Sequence, residues 1–258
     1  MDVQAHNSFN NRVGRDRFML LNNRRALVTG ASRGIGRAIA LEFAREGAYV
    51  IANARKGVAG LQSLVDEMGR GQGVLADVST RQGRAALTES VAGSGVEILV
   101  NNAGVLSRSN FLQVTADEWE HVMSVNLAAP FFLVQSFAPG MIERQYGVVL
   151  NIGSIAGMKN RRERGIEYGI SKAGLHYMTG SLARALAPYV RVNCIAPGYV
   201  ATEMLGKPER VAEAVAETPS RRLTMPEEIA KLAVYLCSDA ARNITGAVLP
   251  IDGGIHRT

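Results

Sequence analysis

Two cysteines are all the thiols in a chain of 258 residues. Cys194 and Cys237 both sit in apolar runs and match no metal-ligand spacing. That excludes a disulfide scaffold and a zinc module, and it makes a reducing, cytoplasmic setting without a bound metal the expectation. No unbroken apolar stretch approaches membrane-spanning length, and the first residues carry no apolar core of a signal peptide, so a membrane partner is not expected. Linker-like composition is also missing after the N-terminal segment. The chain therefore reads as a tail over residues 1–23 followed by one domain over residues 24–258. The tail arginines Arg12, Arg15 and Arg17 have no nucleic-acid-binding module behind them, and nucleic acid is not an expected partner. The net charge of +6 suits acidic small molecules but is equally explained by solubility.

What is present is an alternation of two periodicities. Ala26–Val28, Tyr49–Ala52, Gly73–Ala76, Glu97–Val100, Val148–Ile152, Val190–Ile195 and Ala247–Ile251 read as seven strands. Helical spacing covers Ile35–Glu46, Val58–Met68 and Thr80–Val91. It returns after the capping box Thr115-Ala116-Asp117-Glu118, from Tyr168 to about Ala187, and from Thr224 to Cys237. Strands and helices alternating in this way imply an α/β fold: a Rossmann-like, doubly wound domain with a mainly parallel sheet and helices on both faces. Pro250 assigns the last strand to an edge or a strand end. Ligands of such sheets bind beyond the carboxyl ends of the strands, which is where site residues are sought.

Tyr168 and Lys172 stand four apart in a helical run, so a phenol and an ammonium share one helix face. A neighbouring cation stabilises a phenolate and suits a tyrosine to proton transfer. After the first strand comes Thr29-Gly30-Ala31-Ser32-Arg33-Gly34-Ile35-Gly36, a Gly-x-x-x-Gly-x-Gly loop between a strand and a helix. Glycines there let the backbone approach a pyrophosphate, and the helix N-terminus favours its charge. With this loop the sequence resembles the short-chain dehydrogenase/reductase family, and the resemblance extends from about residue 24 to residue 254.

The resemblance implies hydride transfer between a nicotinamide cofactor and a small carbonyl compound or secondary alcohol. Gly30, Ser32, Arg33, Gly34, Ile35 and Gly36 would hold the cofactor's phosphates, and Asp77 and Val78 would meet the adenine. Asn102, Ala103 and Gly104 of the Asn-Asn-Ala-Gly turn would line the site, and Pro197, Gly198, Val200 and Thr202 would hold the carboxamide. By the same resemblance Asn126, Ser154, Tyr168 and Lys172 form the catalytic group, with Tyr168 and Lys172 also reaching the cofactor's ribose. Similar proteins reduce 3-oxoacyl thioesters or act on sugars, polyols or steroids. The competing class is a cofactor-binding scaffold or regulator without turnover, against which the intact group of four argues.

A further absence bears on the cofactor. NAD-specific sites place a carboxylate at the end of the second strand to bind the ribose 2′-hydroxyl. No acidic residue occurs between Glu46 and Asp66; the position of the acid reads Ala54, followed by Arg55. Arg33 faces the same pocket in similar proteins. Two guanidiniums and no carboxylate suit a 2′-phosphate, so NADP(H) is the expected cofactor.

Two departures from a plain core pattern remain. The loop Met158-Lys159-Asn160-Arg161-Arg162-Glu163-Arg164 is more basic, and about one residue longer, than the family pattern. It is either a solubilising loop or a guide for an anionic substrate, such as an acyl carrier protein. The helices after Thr115 and Tyr168 carry more apolar residues than one core-facing stripe needs, among them Val122, Val125, Phe131, Phe132, Val134, Met178, Leu182 and Leu186. A homotetramer of twofold symmetry is the expectation, as in similar proteins.

Overall fold

The computed structural model describes residues 19–159 and 164–257. Strands β1 (Arg25–Val28), β2 (Tyr49–Ala54), β3 (Gly71–Leu75), β4 (Ile98–Asn101), β5 (Gly147–Ile152), β6 (Val190–Pro197) and β7 (Val248–Ile251) form one sheet. Their order is β3-β2-β1-β4-β5-β6-β7, and each pairing is parallel. The sheet is thus wholly rather than mainly parallel, and β7 with its Pro250 lies at the edge, where a residue lacking an N–H is tolerated.

A parallel sheet is covered on both faces, which is why its strands read as continuous apolar runs. Helices α1 (Gly34–Arg45), α2 (Val58–Met68) and α8 (Pro226–Cys237) cover one face. There Ala26 and Val28 of β1 and Ile98 and Val100 of β4 meet Ile39, Phe43, Leu64 and Ile229. The intervening Leu27 and Leu99 enter the opposite core. That core lies under α3 (Arg81–Ser90), α5 (Ala129–Glu143) and α6 (Ile166–Leu186), with Leu87, Leu133, Met141 and Ala183 inside it. Both cysteines are free and buried, and burial pushes each thiol up to about 12. Leu21, just ahead of β1, is fully buried, and its backbone N–H donates to the Glu46 carbonyl (3.0 Å).

The capping box forms as expected: Glu118 N–H donates to Thr115 Oγ1 and Thr115 N–H to Glu118 Oε2, each at 3.2 Å. It opens α4 (Ala116–Met123), which runs through a π turn at Ser124–Ala128 into α5. The 28 residues from Ala116 to Glu143 are long and apolar enough to cross a membrane by length and hydropathy alone. Asn126, Gln135 and Ser136 interrupt the run, and here Leu133, Val134, Ala138 and Met141 are buried under the sheet. Phe131 and Phe132 face outward, 44% and 43% exposed, in edge-to-face contact.

Helix α7 (Pro208–Glu217) is absent from the sequence reading. Its signal was local: Pro208 in the first turn, followed by Glu209, the combination that favours a helix start. Residues Asn160–Glu163 of the basic loop, Arg161 and Arg162 among them, lie outside the described residues, as do residues 1–18 with Arg12, Arg15 and Arg17. Arg164 forms an isolated antiparallel bridge with Asn110.

Candidate active site

The strand order reverses at β1 and β4, and the two turns that follow those strands meet. Thr29 Oγ1 accepts hydrogen bonds from the backbone N–H groups of Asn102 (3.0 Å) and Ala103 (3.1 Å), and it donates to the Val100 carbonyl (3.2 Å). Asn102 Nδ2 returns the contact by donating to the carbonyls of Thr29 (2.8 Å) and Gly30 (3.1 Å). The approach leaves no room for side chains. A Cβ at Gly30 (φ +64°) would lie 2.9 Å from Ala103 Cα, and one at Gly36 would overlap Asn102 Nδ2 and the Gly30 carbonyl. Arg33 stands at the N-cap of α1 and supplies no side-chain cap, so the first N–H groups of that helix are open to an anion.

On the β2–β3 side the expected residues gather at the next strand ends. Asn53 is buried, its Nδ2 donating to the Ala76 carbonyl at 3.0 Å, and Arg55 follows as an exposed residue. Val78 is buried. Burial pushes the Asp77 carboxyl up, but hydrogen bonds from Ser79 Oγ (2.6 Å) and Ser79 N–H (3.0 Å), together with the Arg55 charge, outweigh it and hold the group below its ordinary value. Among the described residues, the turn that follows β2, Arg55-Lys56-Gly57, carries no carboxylate.

The other half of the cleft is organised by α6. Lys172 is 4% exposed; its Nζ donates to the Ile152 carbonyl (2.8 Å) and lies 5.8 Å from the centroid of the Tyr168 ring, within cation–π range. Asn126, fully buried in the π turn, accepts from Val105 N–H (2.9 Å) and donates to the Val105 carbonyl (3.0 Å) and to Ser171 Oγ (3.0 Å). Ser171 Oγ in turn donates to the Tyr168 carbonyl (2.7 Å). A Cβ at Gly104 would lie 3.5 Å from Asn126 Oδ1 and 3.7 Å from Lys172 Nζ, so the three elements converge there. Ser154 caps a short 3-10 turn, Ile155–Gly157, accepting from Ala156 N–H (3.2 Å). This turn is pressed onto α6: a Cβ at Gly157 would lie 2.6 Å from Ala173 N.

Behind the site a buried polar chain fixes α6 to the sheet. Asn101 Nδ2 donates to Asn151 Oδ1 (2.9 Å), Asn151 Nδ2 to Thr179 Oγ1 (3.0 Å), and Thr179 Oγ1 to the Leu175 carbonyl (2.8 Å). At the far strand end, Pro197 closes β6, Gly198 N–H donates to the Ile251 carbonyl (3.1 Å), and Val200 bridges to Thr224. Thr202 returns to the glycine loop, its Cγ2 3.4 Å from where a Cβ of Gly34 would be.

The expected residues thus lie beyond the carboxyl ends of the strands or on the helices beside them. Arg33, expected to face the same pocket as Arg55, pairs with Glu203 (3.2 Å). The sequence reading missed Ser171, which sits inside the Tyr-x-x-x-Lys spacing as the link to Asn126. It also missed Thr29, Glu203 and His176; for His176 the available signal was its position one turn beyond Lys172 on the same face.

The fold is a doubly wound α/β fold with the candidate site at its topological switch point. The family model described as enoyl-(acyl carrier protein) reductase matches residues 30–256, and the chain belongs to the short-chain dehydrogenase/reductase family. It is 38% identical over 248 residues to the 3-oxoacyl-(acyl carrier protein) reductase FabG of Pseudomonas aeruginosa, covering 92% of this chain and 99% of that protein. It is 39% identical over 238 residues to the galactitol 2-dehydrogenase (L-tagatose-forming) of Cereibacter sphaeroides, covering 89% and 93%. Among solved structures, the RhlG/NADP active-site complex of P. aeruginosa superposes with a TM-score of 0.87 at 35% identity, covering 93% of this chain and 98% of that one.

His176 gives this site a measurable pH signature. Burial, reinforced by the Lys172 charge and opposed by a hydrogen bond with the Gly157 backbone, lowers its pKa from 6.5 to about 4. Between those values the unfolded chain binds a proton that the folded protein refuses, so stability from this residue is complete above pH 6.5 and declines as pH falls towards 4. His176→Leu is expected to flatten part of this decline. Comparing the drop in Tm from pH 7.5 to pH 5 in both proteins checks it; equal drops would mean that His176 is not held neutral.

Proposed function

We propose that the protein is an NADP(H)-dependent oxidoreductase that acts on a carbonyl carbon or the corresponding secondary alcohol. The observation that carries this reading is the convergence of Gly104, Asn126 and Lys172 beside Tyr168. The residues present also fit a dinucleotide. Side chains are excluded where Gly30 and Gly36 approach the neighbouring turn, and the first turn of α1 is uncapped. Of the three donors of Lys172, one is used by the Ile152 carbonyl among the described residues, and a ribose diol suits the others.

Gly30, Ser32, Gly34, Ile35 and Gly36 would hold the pyrophosphate, and Arg33 and Arg55 the 2′-phosphate. Asp77 and Val78 would border the adenine, Asn102, Ala103, Gly104, Tyr168 and Lys172 the nicotinamide ribose, and Pro197, Gly198, Val200 and Thr202 the carboxamide. When bound, the nicotinamide supplies or accepts the hydride. The chain manages the proton. Ser154 Oγ–H donates to the substrate oxygen where negative charge develops, and Tyr168 gives its proton to the same oxygen in reduction or takes it in oxidation. Lys172 keeps a positive charge over the phenol, and Asn126 holds the Val105 backbone and, by family resemblance, helps place the water that relays protons outward.

A 3-oxoacyl thioester is the first substrate to test, because of the similarity to the Pseudomonas reductase. A polyol or keto-sugar is the second reading, favoured by the galactitol dehydrogenase relative. A panel of 3-oxoacyl thioesters, keto-sugars and simple ketones, followed by NADPH absorbance, decides between them. The reading further places residues 24–258 in one domain after an N-terminal tail, in the cytoplasm. It also includes a homotetramer that covers the apolar face formed by Met123, Leu127, Phe131, Phe132, Tyr177 and Leu182. A light-scattering mass of one 27.7 kDa chain at micromolar concentration would rule the tetramer out.

Tyr168→Phe is expected to remove nearly all turnover while cofactor affinity stays close to wild type. Retention of more than about a tenth of kcat, with chemistry rate-limiting, would overturn the acid–base role. Wild-type protein is expected to prefer NADP(H) over NAD(H) by at least ~100-fold in kcat/KM, about 2.7 kcal/mol at the transition state. Arg55→Ala should lose most of that preference through weaker NADPH use, with NADH little changed; equal wild-type rates with the two cofactors would sink the assignment.

A further inference from the structure

After Thr202 the chain passes above the glycine loop as a strap tied on two sides. Arg33 Nη1 of the glycine loop holds Glu203 Oε2 (3.2 Å), and Arg108, from the segment after β4, donates to the Met204 carbonyl (2.8 Å). Arg33 and Glu203 are 78% and 81% exposed. Exposed ion pairs of this kind are weak and exchange partners readily.

We infer that Glu203 is a specificity-determining residue for the cofactor, because its carboxylate competes with the 2′-phosphate of NADP(H) for the Arg33 guanidinium. The inference rests on the reading of Arg33 and Arg55 as the 2′-phosphate site. Carboxylate and phosphate are both matched by guanidinium N–H donors. Glu203 is held through Nη1, so a phosphate that takes this donor displaces it, and the affinity for NADP(H) is reduced by the pair that is broken. NAD(H) carries no 2′-phosphate and leaves the pair intact. Glu203 thus narrows a preference that Arg33 and Arg55 create.

Fluorescence titrations of the full chain with NADPH and with NADH, without substrate, test this on wild type, Glu203→Gln, Arg33→Ala and the double variant. Glu203→Gln is expected to tighten NADPH about three- to tenfold at low salt and to leave the NADH Kd unchanged. The gain should vanish in the Arg33→Ala background, the mark of direct coupling between the two side chains, and shrink at about 0.5 M salt. An equal gain for both cofactors, or the same gain without Arg33, would show Glu203 acting through the strap alone and overturn the inference. So would an unchanged NADPH Kd in Glu203→Gln while Arg33→Ala weakens NADPH, a result that leaves the 2′-phosphate site standing. If Arg33→Ala binds NADPH as tightly as wild type does, Arg33 has no part in the 2′-phosphate site, and the inference falls with it.

Discussion

The site depends first on one hydroxyl. Thr29 Oγ1 uses its full hydrogen-bonding capacity, two acceptances and one donation, to bind the turn after β4 to the strand end of β1. These neighbouring strands carry the chain away in opposite directions, and nothing in sheet pairing alone would keep their turns in contact. With the turns bound together, the glycine loop is fixed on one side of the reversal and Gly104 on the other. Both halves of the cleft then take their positions from a single joint.

The second requirement is to keep a charged amine in a dry place. Lys172 is almost fully buried, and an ammonium so placed needs fixed dipoles around it. The Ile152 carbonyl supplies one, and it does so only while α6 keeps its height over β5. The chain Asn101–Asn151–Thr179 holds that height, using amide and hydroxyl groups that are themselves buried. Polar groups in such surroundings favour one arrangement strongly, since every alternative leaves donors without partners. The same surroundings discharge His176, which stays neutral beside Lys172 rather than adding a second positive charge.

Much of this was legible in the sequence, and for identifiable reasons. The strands of a parallel sheet are buried on both faces, so Ala26–Val28 and Val148–Leu150 appear as unbroken apolar runs with little ambiguity. Tyr168 and Lys172 are separated by one helical turn, so their companionship follows from spacing. Less was legible where position depends on contacts distant in sequence. Arg33 and Glu203 are separated by 170 residues, and no local pattern predicts that they meet. Thr29 looked like the first letter of a glycine motif, whereas its work is done on Asn102 and Ala103, residues of the turn after β4. Helix α7 escaped because its apolar stripe, Val211, Ala214 and Val215, is short and made of small side chains.

The π turn at Ser124–Ala128 has a geometric consequence for the whole length of α4 and α5. Each residue of an α-helix advances the azimuth by about 100°, so one turn that takes an additional residue rotates everything downstream relative to everything upstream. The turn therefore acts as a phase shifter between two surfaces: Asn126 is directed inward to Val105 and Ser171, and soon afterwards Phe131 and Phe132 emerge on the outside. Loss of a single residue from this stretch would leave a better helix by backbone criteria. It would also send the amide and the aromatic pair to the wrong azimuths together, so the inner site and the outer apolar face share one mechanical setting.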